Sequence, residues 1–384
     1  MELSREAYQL IVQNVKSRSD LCTLTRTSRA FQRAAERALY NTLVMNDSTT
    51  AIKICHSITS NPRLGALVDA LTIFASPPTR DDEDDSSDNG VVGLPEEYWK
   101  SIASVLAQTT RLRHLNVHVD GDSAFAWILR NIKFRLDSFH CDLAWDEDLV
   151  NFLNSQDQLR DLYLADFALT SPTPIRNDEE EEDDGQQAQP SSPMSIRPDA
   201  LPLLSILECS FIDAITTLVP GRPVIRVKTC FSREDTPGKA EELRKLSASL
   251  RRTSSRLRSL DLADASYTEE FTLTVLGTMT GHLPDLRYFG TLVLPVGLER
   301  LQFFGLLMRL KSLYTVELEV SEWEPAPSPQ AMRALASELR LYCPSIRCFV
   351  FVQEFERTVV RVVNGFCAVD PEANTENLWR DERS

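Results

Sequence analysis

An apolar-x-x-apolar-x-apolar pattern recurs ten times along the chain of 384 residues. The alternating end of the pattern has the period of a β-strand, in which successive side chains point to opposite faces. The stretches between carry apolar residues three and four apart, which predicts amphipathic helices. The ten predicted strands start at Val68, Leu112, Leu136, Leu159, Leu204, Val224, Leu257, Leu286, Leu313 and Ile346.

The regular alternation of strand and helix indicates the fold class. Successive strand starts lie 20 to 33 residues apart, except for two gaps of 44 and 45 residues. Strand, helix and strand in the same sense require a parallel sheet with helices against it. We therefore predict an α/β solenoid with a parallel sheet on its concave side. A last strand, Thr358–Val363, is predicted to pair with residues 346–352.

The first forty residues have a different pattern and predict three short helices. In the first, Tyr8, Ile11, Val12 and Val15 fall on one face. Ser4 is the predicted N-cap of this helix, because a short side-chain oxygen can accept from the free N–H groups of the first turn. Ser19 or Asp20 is predicted to cap the second helix. Helices this short bury little surface and need something to pack against.

This N-terminal stretch resembles the F-box. The resemblance implies docking on the Skp-type adaptor of a cullin–RING ubiquitin ligase. Ser4 stands where the family usually has proline, a residue favoured but rarely essential at a helix start. The alternative is a helical cap that only closes one end of the solenoid. The matching residues are Leu3, Glu6, Ile11, Asp20, Leu21, Leu24, Ser28, Arg29, Phe31 and Tyr40. The positions implied to contact the adaptor are Leu3, Ile11, Val15, Leu21, Leu24 and Phe31.

Residues 61–352 resemble the degenerate leucine-rich repeats that follow the F-box in fungal-type F-box proteins. The asparagine that usually follows each repeat strand is absent, so irregular turns are expected. The implied domains are an F-box at 1–45 and a repeat domain at 46–384. The strand face of the repeats offers a surface for a target protein. The candidate target-binding residues are His114, Asn116, His140, Tyr163, Arg226, Lys228, Asp261, Tyr288 and Glu317.

Charge is concentrated in the two long gaps. The formal net charge is −15, but six acids at 81–88 and seven at 178–184 account for most of it, and the remainder is −2. Segments of such composition cannot bury enough apolar surface to fold, so about 77–92 and 171–198 are predicted to be disordered loops. No basic field for nucleic acid is present.

The sequence also indicates where the chain resides. No apolar run is long enough for a membrane span, and the first residues do not resemble a signal peptide. The eight cysteines form no Cys-x-x-Cys pair and sit mostly in apolar surroundings, where a thiol acts as a small apolar side chain. A cytoplasmic or nuclear location is the resulting expectation, with no membrane partner.

No catalytic motif is recognisable, and no cofactor is expected. His114 and His118 share one strand face, and His140 lies one repeat on, but no carboxylate or cysteine completes a metal set at diagnostic spacing. With thirteen glycines and no phosphate-cradling loop, nucleotide chemistry has no visible site. We expect a non-enzymatic substrate receptor. The alternatives are an interaction scaffold without a ligase role, and an enzyme built on a repeat fold.

Overall fold

The computed structural model describes residues 4–75, 94–120, 123–165, 195–264 and 268–381. These residues form two compact units. The first comprises Met1–Leu159 with Ala165–Ala200, and the second comprises Arg160–Leu164 with Leu201–Ser384. The predicted disordered insertions at 77–92 and 171–198 lie outside the described residues, apart from residues 195–198.

The first unit holds seven α-helices and four strands among its described residues. The helices are α1 (Arg5–Gln13), α2 (Arg18–Leu24), α3 (Arg29–Tyr40), α4 (Ser48–Ser60), α5 (Pro62–Gly65), α6 (Glu96–Gln108) and α7 (Glu147–Asn154). The strands are β1 (Thr42–Met45), β2 (Ala70–Ala75), β3 (His114–Val119) and β4 (Ser138–Cys141).

The core of the first unit forms between its parallel strands and its helices. The four strands pair in sequence order, and one register row joins Leu43, Leu71, Leu115 and Phe139, all of which are buried. Phe139 meets Phe152 of α7, with ring centroids 5.1 Å apart. Alternate strand residues therefore face the helices, and the residues between them form the opposite face.

The second unit continues the same architecture. Its strands are β5 (Asp161–Leu164), β6 (Ile206–Cys209), β7 (Arg226–Phe231), β8 (Ser259–Asp264), β9 (Tyr288–Val293), β10 (Thr315–Glu319), β11 (Cys348–Gln353), β12 (Glu356–Val363) and β13 (Phe366–Val369). Its helices are α8 (Ile212–Leu218), α9 (Thr236–Leu250), α10 (Glu269–Thr280), α11 (Glu299–Leu307) and α12 (Pro329–Tyr342).

In the second unit β5 to β11 are parallel, and β12 and β13 add two antiparallel strands. A fully buried register row faces the helices and joins Leu162, Leu207, Val227, Leu260, Phe289, Val316, Phe349 and Val360. On this side Phe231 of β7 meets Phe271 of α10, with ring centroids 5.0 Å apart. We call the strand surface that points away from α8–α12 the distal face.

All ten strands predicted from the repeated pattern are confirmed, and each hydrogen-bonded strand begins two residues after the first apolar position. The predicted last strand is also confirmed, since β12 pairs with β11. The hairpin strand β13 was not predicted. The predicted helix carrying Phe125, Ile128 and Leu129 is a short 3-10 helix, Ala126–Leu129.

The helix caps were predicted with mixed success. The Ser4 side chain accepts from the N–H of Ala7, as expected. The expectation of Ser19 or Asp20 as the second cap is wrong, because α2 starts earlier and Ser17 accepts from the N–H of Asp20. All of these residues have short polar side chains, so the sequence alone left the first turn undetermined.

Candidate functional site

The three N-terminal helices form a small core of their own. Val12, Leu21 and Ala35 are buried together, and the half-buried Val15, Leu24, Phe31, Ala34 and Leu39 pack against them. The ring of Tyr8 meets that of Phe31 edge-on, with centroids 4.7 Å apart. This core explains how helices of 7 to 12 residues hold one arrangement.

The structure separates the implied adaptor-contact residues. Leu21 lies in the helical core, and Val15, Leu24 and Phe31 pack at its border. Ile11 is 40% exposed, and its neighbour Leu10, which was not singled out from the sequence, is 60% exposed. Leu3 lies outside the described residues. Among the described residues of this cluster, the exposed large apolar side chains are thus on α1, whereas Val15, Leu21, Leu24 and Phe31 hold the helices together.

A buried carboxylate links α3 to the rest of the first unit. Glu36 accepts from both terminal nitrogens of Arg63 at 2.6 and 2.9 Å, and Gln32 donates to it at 3.0 Å. The Arg63 guanidinium lowers the pKa of Glu36 by hydrogen bonding, against the opposing effect of burial. Because α3 also packs against β1, the helical cluster is attached to the sheet of the first unit.

In the first unit the predicted target-binding residues line a partly accessible strand face. His114 is exposed, and Asn116 and His140 are half-buried neighbours in the same register row. The Asn116 amide donates to Thr72 at 3.4 Å. Two rings, those of His118 and Phe74, stack at 5.0 Å, and His118 Nδ1 lies 3.2 Å from an Asp142 carboxylate oxygen.

In the second unit the predicted residues lie on the distal face, and all of them except Glu317 fall in two neighbouring register rows. One row contains Tyr163, Glu208, Lys228 and Asp261, and the other contains Asp161, Ile206, Arg226, Ser259, Tyr288 and Thr315. We expected these side chains to point away from the core, and they do. The further expectation that they form a solvent-facing surface is wrong at Arg226, Asp261, Tyr288 and Glu317, which are 1–7% exposed.

Two features bury this part of the distal face. The 3-10 helix Leu378–Arg380 lies against β7 and β8, and Trp379 in it is 2% exposed. Ala373 and Leu378 pack on an apolar cluster formed by Cys348, Val350 and Val359. The segment 370–381 therefore covers strands that the sequence pattern assigned to a target protein. The only sequence signal for this arrangement was Trp379, an aromatic residue in an otherwise polar stretch.

A charged network fills the covered face around Glu317. Tyr288 donates its hydroxyl to Glu317 at 2.8 Å, and Thr291 donates to the other carboxylate oxygen at 3.1 Å. Arg357 of β12 donates to that same oxygen from Nε and Nη2, at 3.3 and 3.2 Å. A buried carboxylate needs such partners, because desolvation of an unpaired charge is costly.

Asp261 stands beside this network and is poorly placed to ionise. Burial, followed by the negative charge of Glu317, raises the pKa of Asp261 to about 7, while Lys228 and Arg357 oppose the shift. Burial and the charges of both carboxylates also raise the pKa of Tyr288. A carboxyl group with a strongly raised pKa occurs at many catalytic centres and also in structural ion networks. Here Tyr288 is 1% exposed and Asp261 is 7% exposed.

Gly290 allows the network to close. A Cβ atom at Gly290 would lie 2.7 Å from Glu317 Cβ and 3.0 Å from the Tyr288 hydroxyl. We expect Gly290→Ala to lower the free energy of unfolding by about 1–3 kcal/mol, the usual cost of overpacking. Urea unfolding would measure this. In the matched control Gly277→Ala, at an exposed position of α10, the new Cβ meets nothing within 4 Å. An equal loss in both variants would contradict the crowding argument.

The cysteines behave as apolar side chains where they are buried. Burial raises the pKa of the Cys141 and Cys209 thiols to about 12, so both stay protonated. Across the described ranges, no group of three or more His, Cys, Asp or Glu side chains could hold a metal ion. None of the helices in the part of the chain that the structure describes is long and apolar enough to cross a membrane.

The fold and these surfaces define a mixed α/β protein with a mostly parallel sheet, a helical cluster at its N-terminal side and a buried charged network in its second unit. Comparison of the sequence with protein-family models and with curated proteins gives no match.

Proposed function

We propose that the chain is a substrate-recognition subunit of a Skp–cullin–F-box ubiquitin ligase. The observation that carries this proposal is the accessible apolar pair Leu10 and Ile11 on α1, in a helical cluster whose residue order resembles the F-box. Exposed neighbouring apolar side chains on one helix are suited to a protein partner. The subunit performs no bond chemistry and raises the effective concentration of a target near the transfer machinery.

In this proposal the strands that follow the helices form a leucine-rich-repeat-like solenoid that recruits the target. The recurring strand–helix unit supports it, as does the in-register parallel pairing of the repeat strands within each unit. The chain would act in the cytosol or nucleus, where the ligase machinery operates.

The second candidate is a repeat-type interaction scaffold without a ligase role. The Glu36–Arg63 pair and the packing of α3 on β1 favour it, because they attach the helical cluster to the first unit in the manner of a cap. A cap would require the same internal core, but the exposed side chains of α1 would then bind no other protein.

Binding of a purified Skp-type adaptor tests the receptor proposal. We expect wild-type protein to bind, and Ile11→Asp to bind at least about tenfold more weakly, because a carboxylate would be buried without a partner in the interface. Ile11 is 40% exposed, so its substitution should leave the circular dichroism spectrum unchanged, whereas Leu21 in the core is unsuitable. Biolayer interferometry measures the affinities.

The control is Leu301→Asp on α11, which places a carboxylate on an apolar side chain that is also exposed, at 61%, in the second unit. It should bind the adaptor like the wild type. If folded wild-type protein does not bind the adaptor, the receptor proposal fails and the scaffold remains. If Leu301→Asp weakens binding as much as Ile11→Asp, the assignment of α1 as the contact is wrong.

A further inference from the structure

The segment 370–381 is seated on the distal face by side chains of two kinds. Trp379 and Leu378 supply apolar contacts, and Arg380 supplies charge. The Arg380 guanidinium donates to Asp161 Oδ2 at 2.5 Å and to Glu208 Oε2 at 2.7 Å, and it lies over the Trp379 ring at 4.5 Å. Its side chain is 16% exposed. One arginine therefore bridges carboxylates from two adjacent strands, β5 and β6.

The bridging geometry selects a guanidinium. Asp161 and Ile206 are register partners, so Asp161 and Glu208 stand on neighbouring strands and offer oxygens to two different nitrogens of one planar group. A lysine ammonium is a point charge and cannot reproduce this fork. Lys228 already occupies the other oxygen of Glu208, at 3.2 Å, which leaves the Arg380 side of the carboxylate for an incoming cation.

Arg380 also balances the charges on the distal face. The strands place four acids there, Asp161, Glu208, Asp261 and Glu317, together with three cations, Arg226, Lys228 and Arg357. Arg380 is the fourth cation and comes from the seated segment. Without it, Asp161 and Glu208 lose the guanidinium that pairs with both of them.

The segment 370–381 is held on the distal face without adding a strand to the sheet. Residues 378–380 form a 3-10 helix rather than a strand, so the contact consists of side chains and a few backbone bonds, among them one from Arg226 to the Asp381 carbonyl at 3.4 Å. The buried indole N–H of Trp379 makes no hydrogen bond within the described residues. An incoming aromatic residue without a buried donor, such as phenylalanine, would fill the position of Trp379 without this unpaired N–H.

We propose that the distal face of the second unit is a binding site for a protein segment in which an aromatic residue precedes an arginine, and that Trp379–Arg380 occupy this site as an intramolecular competitor. The arginine of the partner enters between Asp161 and Glu208, and its aromatic residue takes the position of Trp379. The partner must displace a tethered segment whose effective concentration is in the millimolar range, so binding is gated. That the partner is a ligase substrate rests on the proposed function, whereas the binding site does not.

A peptide of residues 372–384, labelled with fluorescein, is a direct probe of the site. In fluorescence anisotropy we expect the full-length Trp379→Ala, Arg380→Ala variant to bind this peptide at least about tenfold more tightly than the wild type, whose own segment competes. A peptide carrying Arg380→Lys should lose at least about tenfold in affinity, because one charge-assisted bond of the fork is lost. Added salt should weaken binding.

Two further variants complete the test. Adding Asp161→Asn and Glu208→Gln to the Trp379→Ala, Arg380→Ala variant should abolish peptide binding while the circular dichroism spectrum is retained. If the double alanine variant does not fold, full-length Arg380→Lys replaces it. This variant keeps the positive charge and only weakens the contact of segment 370–381 with the distal face. The proposal is overturned if the folded double alanine variant does not bind the peptide, or if wild-type protein binds the peptide as tightly as this variant does. It is also overturned if the Arg380→Lys peptide binds as tightly as the unsubstituted peptide. No adaptor is present, so these outcomes are independent of the adaptor test.

Discussion

Replacing Arg357 with methionine is expected to lower the free energy of unfolding by about 3 kcal/mol. The change leaves Glu317, which is 3% exposed, without its guanidinium. Removing one partner of a buried ion pair costs about 3–5 kcal/mol, since the remaining charge is uncompensated. The lower end applies because the Arg357 side chain is itself 41% exposed, so water can approach that side of the pair. Urea unfolding monitored by hydrogen exchange of β9–β12 peptides would localise the loss to this network.

The control for Arg357 lies on the same strand. Arg361 of β12 pairs with Asp370 at 2.8 Å, but both side chains are well exposed, at 40% and 32%. Arg361→Met should therefore cost no more than about 1 kcal/mol. Adding Glu317→Gln to Arg357→Met should recover part of the loss, because a neutral amide no longer needs the cation. Equal losses at both arginines, or no recovery, would show that Glu317 is adequately solvated without Arg357.

The contribution of Asp261 to the stability of the protein is expected to fall as the pH rises from about 4 to about 7. An unfolded aspartate has a pKa near 3.9, and the folded pKa is about 7. Between these values the folded state holds a proton that the unfolded state has lost. The contribution of Asp261 is therefore fully present below the unfolded pKa and is lost above the folded one. The maximum slope is about 1.4 kcal/mol per pH unit.

Asp261→Asn should remove this slope, because an amide does not titrate. The charged and titratable groups around Asp261 are Glu317, Lys228, Arg357, Glu208 and Tyr288, and they remain in the variant. Unfolding by urea at pH 5, 6, 7 and 8 gives the difference between variant and wild type, in which the other carboxylates cancel. Asp285→Asn, at an acid paired with the 80% exposed Arg256, is the control and should keep the wild-type slope. Parallel profiles for Asp261→Asn and wild type would contradict the assignment.

The repeat strands were predictable because their pattern is local. Side chains two residues apart in a strand share one face, as Leu260 and Leu262 do in β8. Burial of that face requires apolar residues. The hairpin strand β13 was missed because its burial is partial and its sequence does not alternate strongly. The start of α2 at Arg18 was missed because Ser17, Ser19 and Asp20 are all competent caps, and the backbone conformation decides among them.

The N-terminal candidate site was predictable only as a set of residues. The spacing of Ile11 and Val15 places them on one helix face, but which side of α1 meets α3 depends on packing between helices. The structure shows Val12 and Leu21 in the core and Leu10 and Ile11 exposed. No periodicity in a helix of nine residues distinguishes these outcomes, because apolar residues occupy several faces.

The repeated sequence pattern was sufficient to locate the ten repeat strands, most of the helices between them and the side of each strand that faces the core, since each depends on residues close together in the chain. The burial of Arg226, Asp261, Tyr288 and Glu317 could not be predicted from the pattern, because it depends on contacts between strands and with a segment far along the chain. Arg380 reaches Asp161 across 219 positions. Contacts of this separation leave no periodic signal, and they arise from charge and shape complementarity that exists only once the sheet has formed.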